Sequence, residues 1–159
     1  MFRYIYNIGY IPLFKMTRKN IFKTNSFSII LPSGWIVDAQ QQPLVIQRET
    51  EDAGVIQISI FFATKPLKVE KIRPESLLRS YLEKQKNTKI KINAYEREGQ
   101  KFAVSDFYKS HDSSKDWFCK TMVVMTNSKQ ALITYNVEYK FKNSRLKDVE
   151  EIFDSFMIE

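Results

Sequence analysis

An α+β fold, an antiparallel β-sheet covered by helices, is predicted by three observations. Several segments alternate apolar and polar residues with a period of two. Two others repeat apolar residues at helical spacing, and the order along the chain runs strands, helix, strands, helix.

Phe27 to Leu31 reads as the opening strand, and Pro32-Ser33-Gly34 turns the chain because proline fixes its φ and glycine admits positive values. Trp35 follows directly and is expected to plug the opening edge of the core. A second strand is expected from Pro43 to Thr50, followed by the acidic turn Glu51-Asp52-Ala53-Gly54. From Val55 to Phe62, Ile56, Ile58, Ile60 and Phe62 share one face while Val55, Gln57, Ser59 and Phe61 share the other, which is a strand. Pro66 to Arg73 is a basic linker, and Pro74-Glu75 opens a helix whose apolar stripe is Leu77, Leu78, Tyr81 and Leu82 and which should stop near Asn87.

Four extended segments follow: Lys89 to Glu98, Lys101 to Ser110, Asp116 to Thr126 and Gln130 to Phe141. Glu98-Gly99-Gln100 and Thr126 to Lys129 are short enough to be hairpin connectors. In the last strand Ala131, Ile133, Tyr135, Val137 and Tyr139 share a face, so one side of the sheet is covered. Asn143 or Ser144 caps a final helix with Leu146, Val149, Ile152, Phe153 and Phe156 at helical spacing. Its Asp148, Glu150, Glu151 and Asp154 form the solvated face. No linker divides the chain, which reads as an extension over residues 1–24 and a single domain over 25–159.

The 159 residues are 43% hydrophobic and 27% charged, which excludes a disordered polymer and suffices for a core without metal or disulfide support. A lone cysteine, Cys119, has no disulfide partner in the chain, and with a lone histidine, His111, it excludes cysteine-rich zinc sites and sites needing two histidines. The net charge of +7 is concentrated early: Arg3, Lys15, Arg18, Lys19 and Lys23 precede Phe27 with no acid among them. What remains is a mixed surface and not a nucleic-acid-binding field, so no nucleic-acid partner is expected.

The early segment is too short and too polar to span a bilayer, and Tyr4, Tyr6, Asn7 and Tyr10 interrupt its apolar run. No small-residue cleavage site or lipobox cysteine follows, and Met16 offers a second start position. The protein is therefore expected to be cytoplasmic, with residues Phe2 to Lys23 as its candidate contact for a membrane surface.

Candidate chemistry is sparse. His111 lies in the polar connector KSHDSSKD with Asp106, Asp112 and Asp116 nearby, types suited to a general base or a hard cation. A solvated hairpin loop explains the same pattern, which lacks the turn glycine and ligand alternation of a calcium loop. Cys119 alternates with Trp117, Thr121, Val123 and Met125, as an inert thiol inside a sheet does. Ser33, Ser113 and Ser114 fit turn chemistry, and Gly9, Gly34, Gly54 and Gly99 are too far apart for a phosphate loop. Lys65, Lys68, Lys71 and Arg73 form the densest basic patch of the folded body, diluted by Glu70 and Glu75. Tyr95, Phe102, Phe107, Tyr108, Tyr135 and Tyr139 line a cleft or pack into the sheet.

FSIILPSGW, the strand VIQISIFF and the closing VEEIFDSFMIE together resemble the PsbP-like fold, shared with the Ran-binding nuclear import factor Mog of yeast and with small bacterial domains of uncharacterised function. The marks are the Pro32-Ser33-Gly34-Trp35 turn and the Ser155-Phe156 pair that ends the last helix, and the likeness covers Asn25 to Glu159. The resemblance implies a PsbP-like α/β/α sandwich and roles in binding or assembly without one shared reaction, and it transfers no site residue or cofactor.

The leading expectation is accordingly a noncatalytic binding or assembly module with a protein partner. A small-ligand or membrane-surface protein comes second. An enzyme, toward which the sequence does not lean, would rest on His111, Asp112 and Asp116 alone.

Overall fold

The computed structural model describes residues 20–65, 73–87, 89–112 and 114–159. Most of the extension expected over 1–24 lies outside them, but its last residues form strand β1 (Asn20–Lys23), paired antiparallel with β2 (Phe27–Leu31). After the turn at Gly34 come β3 (Ile36–Asp38), β4 (Leu44–Gln47) and β5 (Val55–Phe62). Helix α1 (Pro74–Lys84) starts with proline at its first position, where the missing N–H costs nothing. It leads to β6 (Ile92–Arg97), β7 (Gln100–Ser105), β8 (Tyr108–Asp112), β9 (Lys115–Met125) and β10 (Lys129–Glu138). Helix α2 (Leu146–Ser155) and the short β11 (Met157–Ile158) close the chain.

Among the described residues every strand pairing is antiparallel. The large sheet runs β3-β4-β5-β10-β9-β7-β6, with β8 also on β9, and a small sheet runs β1-β2-β11. Alternation decides which face each residue takes. Ile56, Ile58 and Ile60 of β5, Ala131, Ile133, Tyr135 and Val137 of β10, and Met122 and Val124 of β9 join one core with Phe27 and Ile29 of the small sheet and Val149, Ile152 and Phe153 of α2. On the opposite face Leu78 and Leu82 of α1 bury against Ala103, Val123 and Met125. The result is an α/β/α sandwich in which α2 and the small sheet together make one outer layer, as the predicted fold class requires.

The residues that carry the resemblance hold this layer in place. Trp35 is buried, and its indole N–H donates to Asp148 of α2 at 3.0 Å, while Arg48 reaches Asp148 at 3.5 Å and the Ser33 carbonyl at 2.7 Å. Asp148 was expected on the solvated face. It is drawn in because it neighbours the buried Val149 at the edge of the helix stripe. Ser155 accepts from the Ile30 amide at 2.9 Å, Phe156 stacks on Phe27 at 5.4 Å, and the buried Gln100 amide bonds Ile158 through both its oxygen and its nitrogen.

Other elements depart from expectation. The strand expected over 43–50 is shortened, and β3 and β11 are too brief to show a period. Neither Asn143 nor Ser144 caps α2; Arg145 occupies the cap, makes no capping bond and pairs with Asp52 at 3.3 Å. The last long strand ends at Glu138, and Tyr139–Phe141 is a 3-10 turn. The single strand expected over 101–110 is two: Val104 pairs with Met122 and Tyr108 with Cys119, so three residues oppose two across a bulge. The extra residue turns Phe107 toward the α2 core and Tyr108 toward α1.

Gly54 adopts φ 70° and ψ −167°, a region open essentially to glycine, and an added Cβ would lie 2.5 Å from the Asn136 carbonyl oxygen. Gly99 also has positive φ but open space around it. In urea unfolding, Gly54→Ala is expected to cost roughly 2 to 4 kcal/mol and Gly99→Ala about 1 kcal/mol; equal losses would show that the Asn136 contact yields.

Candidate functional site

Helix α1 stops without a glycine. The Asn87 amide donates to the Leu82 carbonyl and the Lys86 amide to Glu83, a Schellman closure whose left-handed residue is Lys86 at φ 60°. A lysine held where glycine is favoured costs roughly 1 kcal/mol. The β8–β9 hairpin rises past this helix end, leaving a groove of about 410 Å³ between them. Lys84, Gln85 and Lys86 form its helix wall, Ser110 and Asp112 of β8 face them, and Trp117, Cys119 and Asn136 contribute from the sheet.

The groove takes in His111 and Asp112 but leaves Asp116 out. His111 stands within β8, not in the connector where the sequence placed it, because pairing continues to Asp112 opposite Lys115. It lies directly across from Asp116, whose carboxylate accepts from His111 Nδ1 at 2.9 Å and from Lys109 at 2.6 Å. The Lys109 bond first, and the His111 bond second, hold the Asp116 carboxyl below its ordinary range. Strand alternation directs this pair to the face opposite Ser110, Asp112 and Cys119. The imidazole is 67% exposed and bonds Asp116, which itself stays outside the groove, so the groove does not hold all three residues of the enzyme reading.

Cys119 is buried, and burial pushes its thiol up to about 12, as an inert core thiol requires. Tyr108 is likewise raised to about 12 by burial, with its hydroxyl 3.0 Å from Thr121 Oγ1. The aromatics pack on one another: Tyr95 stacks on Phe102 at 4.9 Å, where the two also line a second recess of about 260 Å³, Phe107 stacks on Phe118 at 4.8 Å, and Tyr139 meets Phe118 edge-on. Ser33 serves the turn through its carbonyl. Among the described residues no group of three or more His, Cys, Asp and Glu side chains could hold a metal ion. Of the basic linker, Lys68 and Lys71 lie outside the described residues, as does Ser113.

A different basic segment starts at the groove, where Lys84 and Lys86 line the wall, and continues along the chain through Lys89 and Lys91. Lys84, Lys86, Lys89 and Lys91 are all exposed, and none has an acidic partner among the described residues. Several other cations are paired: Lys23 with Glu159, Lys109 with Asp116, Lys115 and Lys140 with Glu138, Lys120 with Glu150. The signal was present in the sequence as a stretch free of acids from Lys84 to Tyr95, but it crosses the helix end, and strand reading divided it between two elements.

No protein-family model matches this sequence. No curated protein matches it either. Solved structures do. The solution structure of the cyanobacterial PsbP, CyanoP, from Synechocystis superposes with a TM-score of 0.65 at 10% identity, covering 95% of this chain and 98% of that one. LpqN of Mycobacterium tuberculosis, involved in cell envelope biogenesis, gives 0.61 at 11% identity over 83% and 82% of the two chains. A Bacteroides thetaiotaomicron protein gives 0.60 at 15% identity over 91% of this chain, which spans about half of it, 49%. At these identities the likeness establishes the PsbP-like fold and its bacterial relatives in structure.

The cytoplasmic placement is corrected by these neighbours, since CyanoP and LpqN are extracytoplasmic proteins. The sequence misled because one buried thiol suits either side of a membrane, and neither a cleavage site nor a lipobox is a feature of the folded domain itself.

Two outcomes follow from this geometry. Cys119 in the native protein is expected to resist a thiol reagent at pH 8, far below its raised pKa, and to react fully in denaturant; rapid native labelling would contradict its burial. Lys86→Gly is expected to raise stability in urea by about 0.5 to 1 kcal/mol by relieving the left-handed lysine, and a loss would show that the side chain makes a stabilising contact.

Proposed function

We propose that this PsbP-like domain is a noncatalytic binding or assembly module that docks an acidic protein partner on the basic margin of the groove. The observation that carries the reading is the run Lys84, Lys86, Lys89 and Lys91, four exposed ammonium groups without acidic partners among the described residues. Charge without acidic partners along one segment steers association and fixes orientation, whereas the neutralised pairs around Asp116 and Glu138 contribute little field. Lys86 supports the same reading, since a left-handed lysine is tolerated at some expense in stability where glycine would serve the fold better. The buried Cys119 thiol, its pKa raised by burial, speaks against nucleophilic catalysis at this groove. Binding and assembly are also what the resemblance of the turn and the closing helix implied.

The test is crosslinked affinity capture from the native organism with the full chain, its K84E/K86E/K89E/K91E variant and His111→Ala. The wild type and His111→Ala are expected to capture the same dominant acidic protein, with yield falling steeply as salt rises past about 0.15 M, and the charge-reversed variant to capture none. Capture unaffected by charge reversal would overturn the reading.

A further inference from the structure

Strand β6 ends the large sheet, and among the described residues no strand pairs with its outer edge. Glu98 at φ 51° and Gly99 at φ 74° form the two-residue loop to β7, which makes Arg97 and Gln100 a hydrogen-bonded pair. The ladder then uses the backbone of every second residue, back to Lys91, whose carbonyl accepts from the Asp106 amide. The N–H and C=O groups of Ile92, Ala94 and Glu96 therefore point outward, unclaimed by β7. Asn93, Ala94, Tyr95 and Glu96 are all exposed. This edge is also longer than the opposite one: β6 spans six residues, and β3, at the other end of the sheet, three.

Charge and alternation decide what fits there. Ile90 and Ile92 pack toward the α1 cluster, which turns Lys89 and Lys91 to the other face, with Asn93, Tyr95 and Arg97. That run carries cations and no acid. The Arg97 guanidinium is taken by the Asp154 and Phe156 carbonyls, whereas Lys89 and Lys91 are exposed and have no acidic partner among the described residues. A second copy of the chain fits poorly, because two-fold pairing of one edge with itself keeps like faces together and brings cations to cations. The lysines that keep a second copy away admit a strand of opposite charge. Beside the edge, Pro74, Ala94, Tyr95 and Phe102 line, with charged residues of both signs, the recess of about 260 Å³, which can receive one side chain of an added strand.

We infer, resting on the acidic-partner reading, that the partner adds an extended segment of alternating acidic and apolar residues as a further strand on the edge of β6. Its carboxylates lie opposite Lys89 and Lys91, and its apolar side chains continue the row begun by Ile90 and Ile92. Its main chain pairs with the outward groups of Ile92, Ala94 and Glu96, which supplies affinity, while the alternation supplies selectivity.

The probe is the peptide acetyl-EVETEVET-amide, titrated into the isotope-labelled full chain. Two controls of equal charge are N-methylated at alternate backbone nitrogens, the odd ones in the first and the even ones in the second. The plain peptide is expected to bind and to slow amide exchange at Ala94 and Glu96 by roughly tenfold or more. Affinity is expected to fall roughly tenfold in at least one N-methylated control and in the K89E/K91E variant. Equal affinity of both controls, or unchanged exchange at Ala94 and Glu96 in a complex that forms, would overturn the added strand and leave the acidic-partner reading standing. No binding of the plain peptide at about 5 mM would do the same. Full affinity in K89E/K91E would overturn the charge pairing that both readings need.

Discussion

Everything in this molecule depends on one face of the large sheet being wholly apolar. Ile56, Ile58, Ile60, Ile133, Tyr135 and Val137 lie side by side on it and exclude water only if a second layer covers them. That layer has no single element large enough for the task. The ten-residue α2 and the small sheet share it, joined by the Phe27–Phe156 stack and by Ser155 on the Ile30 amide. Gln100 then pins the last strand to the large sheet with two buried hydrogen bonds, and the Arg97 guanidinium donates to the carbonyls of Asp154 and Phe156 at the C-terminal end of α2, where positive charge is favoured. The Pro-Ser-Gly-Trp turn belongs to the same arrangement. Gly34 leaves room for the Arg48 guanidinium, and Trp35 reaches across to Asp148.

The opposite face follows a different rule. Only α1 covers it among the described residues, and it buries two leucines over β7 and β9. Where the helix ends, the sheet continues, and the step between them is the groove. The groove and the basic segment that starts in it are therefore consequences of a helix shorter than the sheet beneath it is wide. Their chemistry is separate from the core: the basic segment carries charge without acidic partners among the described residues.

Several local features were legible along the chain. Val55 to Phe62 and the α1 stripe declared themselves by period, and the buried thiol was readable from the alternation around Cys119. Asp148 was not, because a carboxylate one residue from a buried stripe looks solvated until the indole that meets it, more than a hundred residues away, is in place. The bulge after β7 was hidden too. One extra residue leaves the composition of 101–110 unchanged, yet it exchanges the faces of the strand residues that follow it up to Asp112.

Short-range pattern was sufficient for fold class, strand faces, helix stripes and the absence of a familiar catalytic motif, because each depends on residues within a few positions of one another. Contact between distant segments settled the rest. It set His111 opposite Asp116 across the β8–β9 ladder, and it brought Asn136, Gln85 and Trp117 into one groove. It also laid Gln47, Gln57 and Thr134 in adjoining strands on one face. Sequence separation carries no information about such neighbours, since register between strands is decided by the shared core on the other side of the sheet.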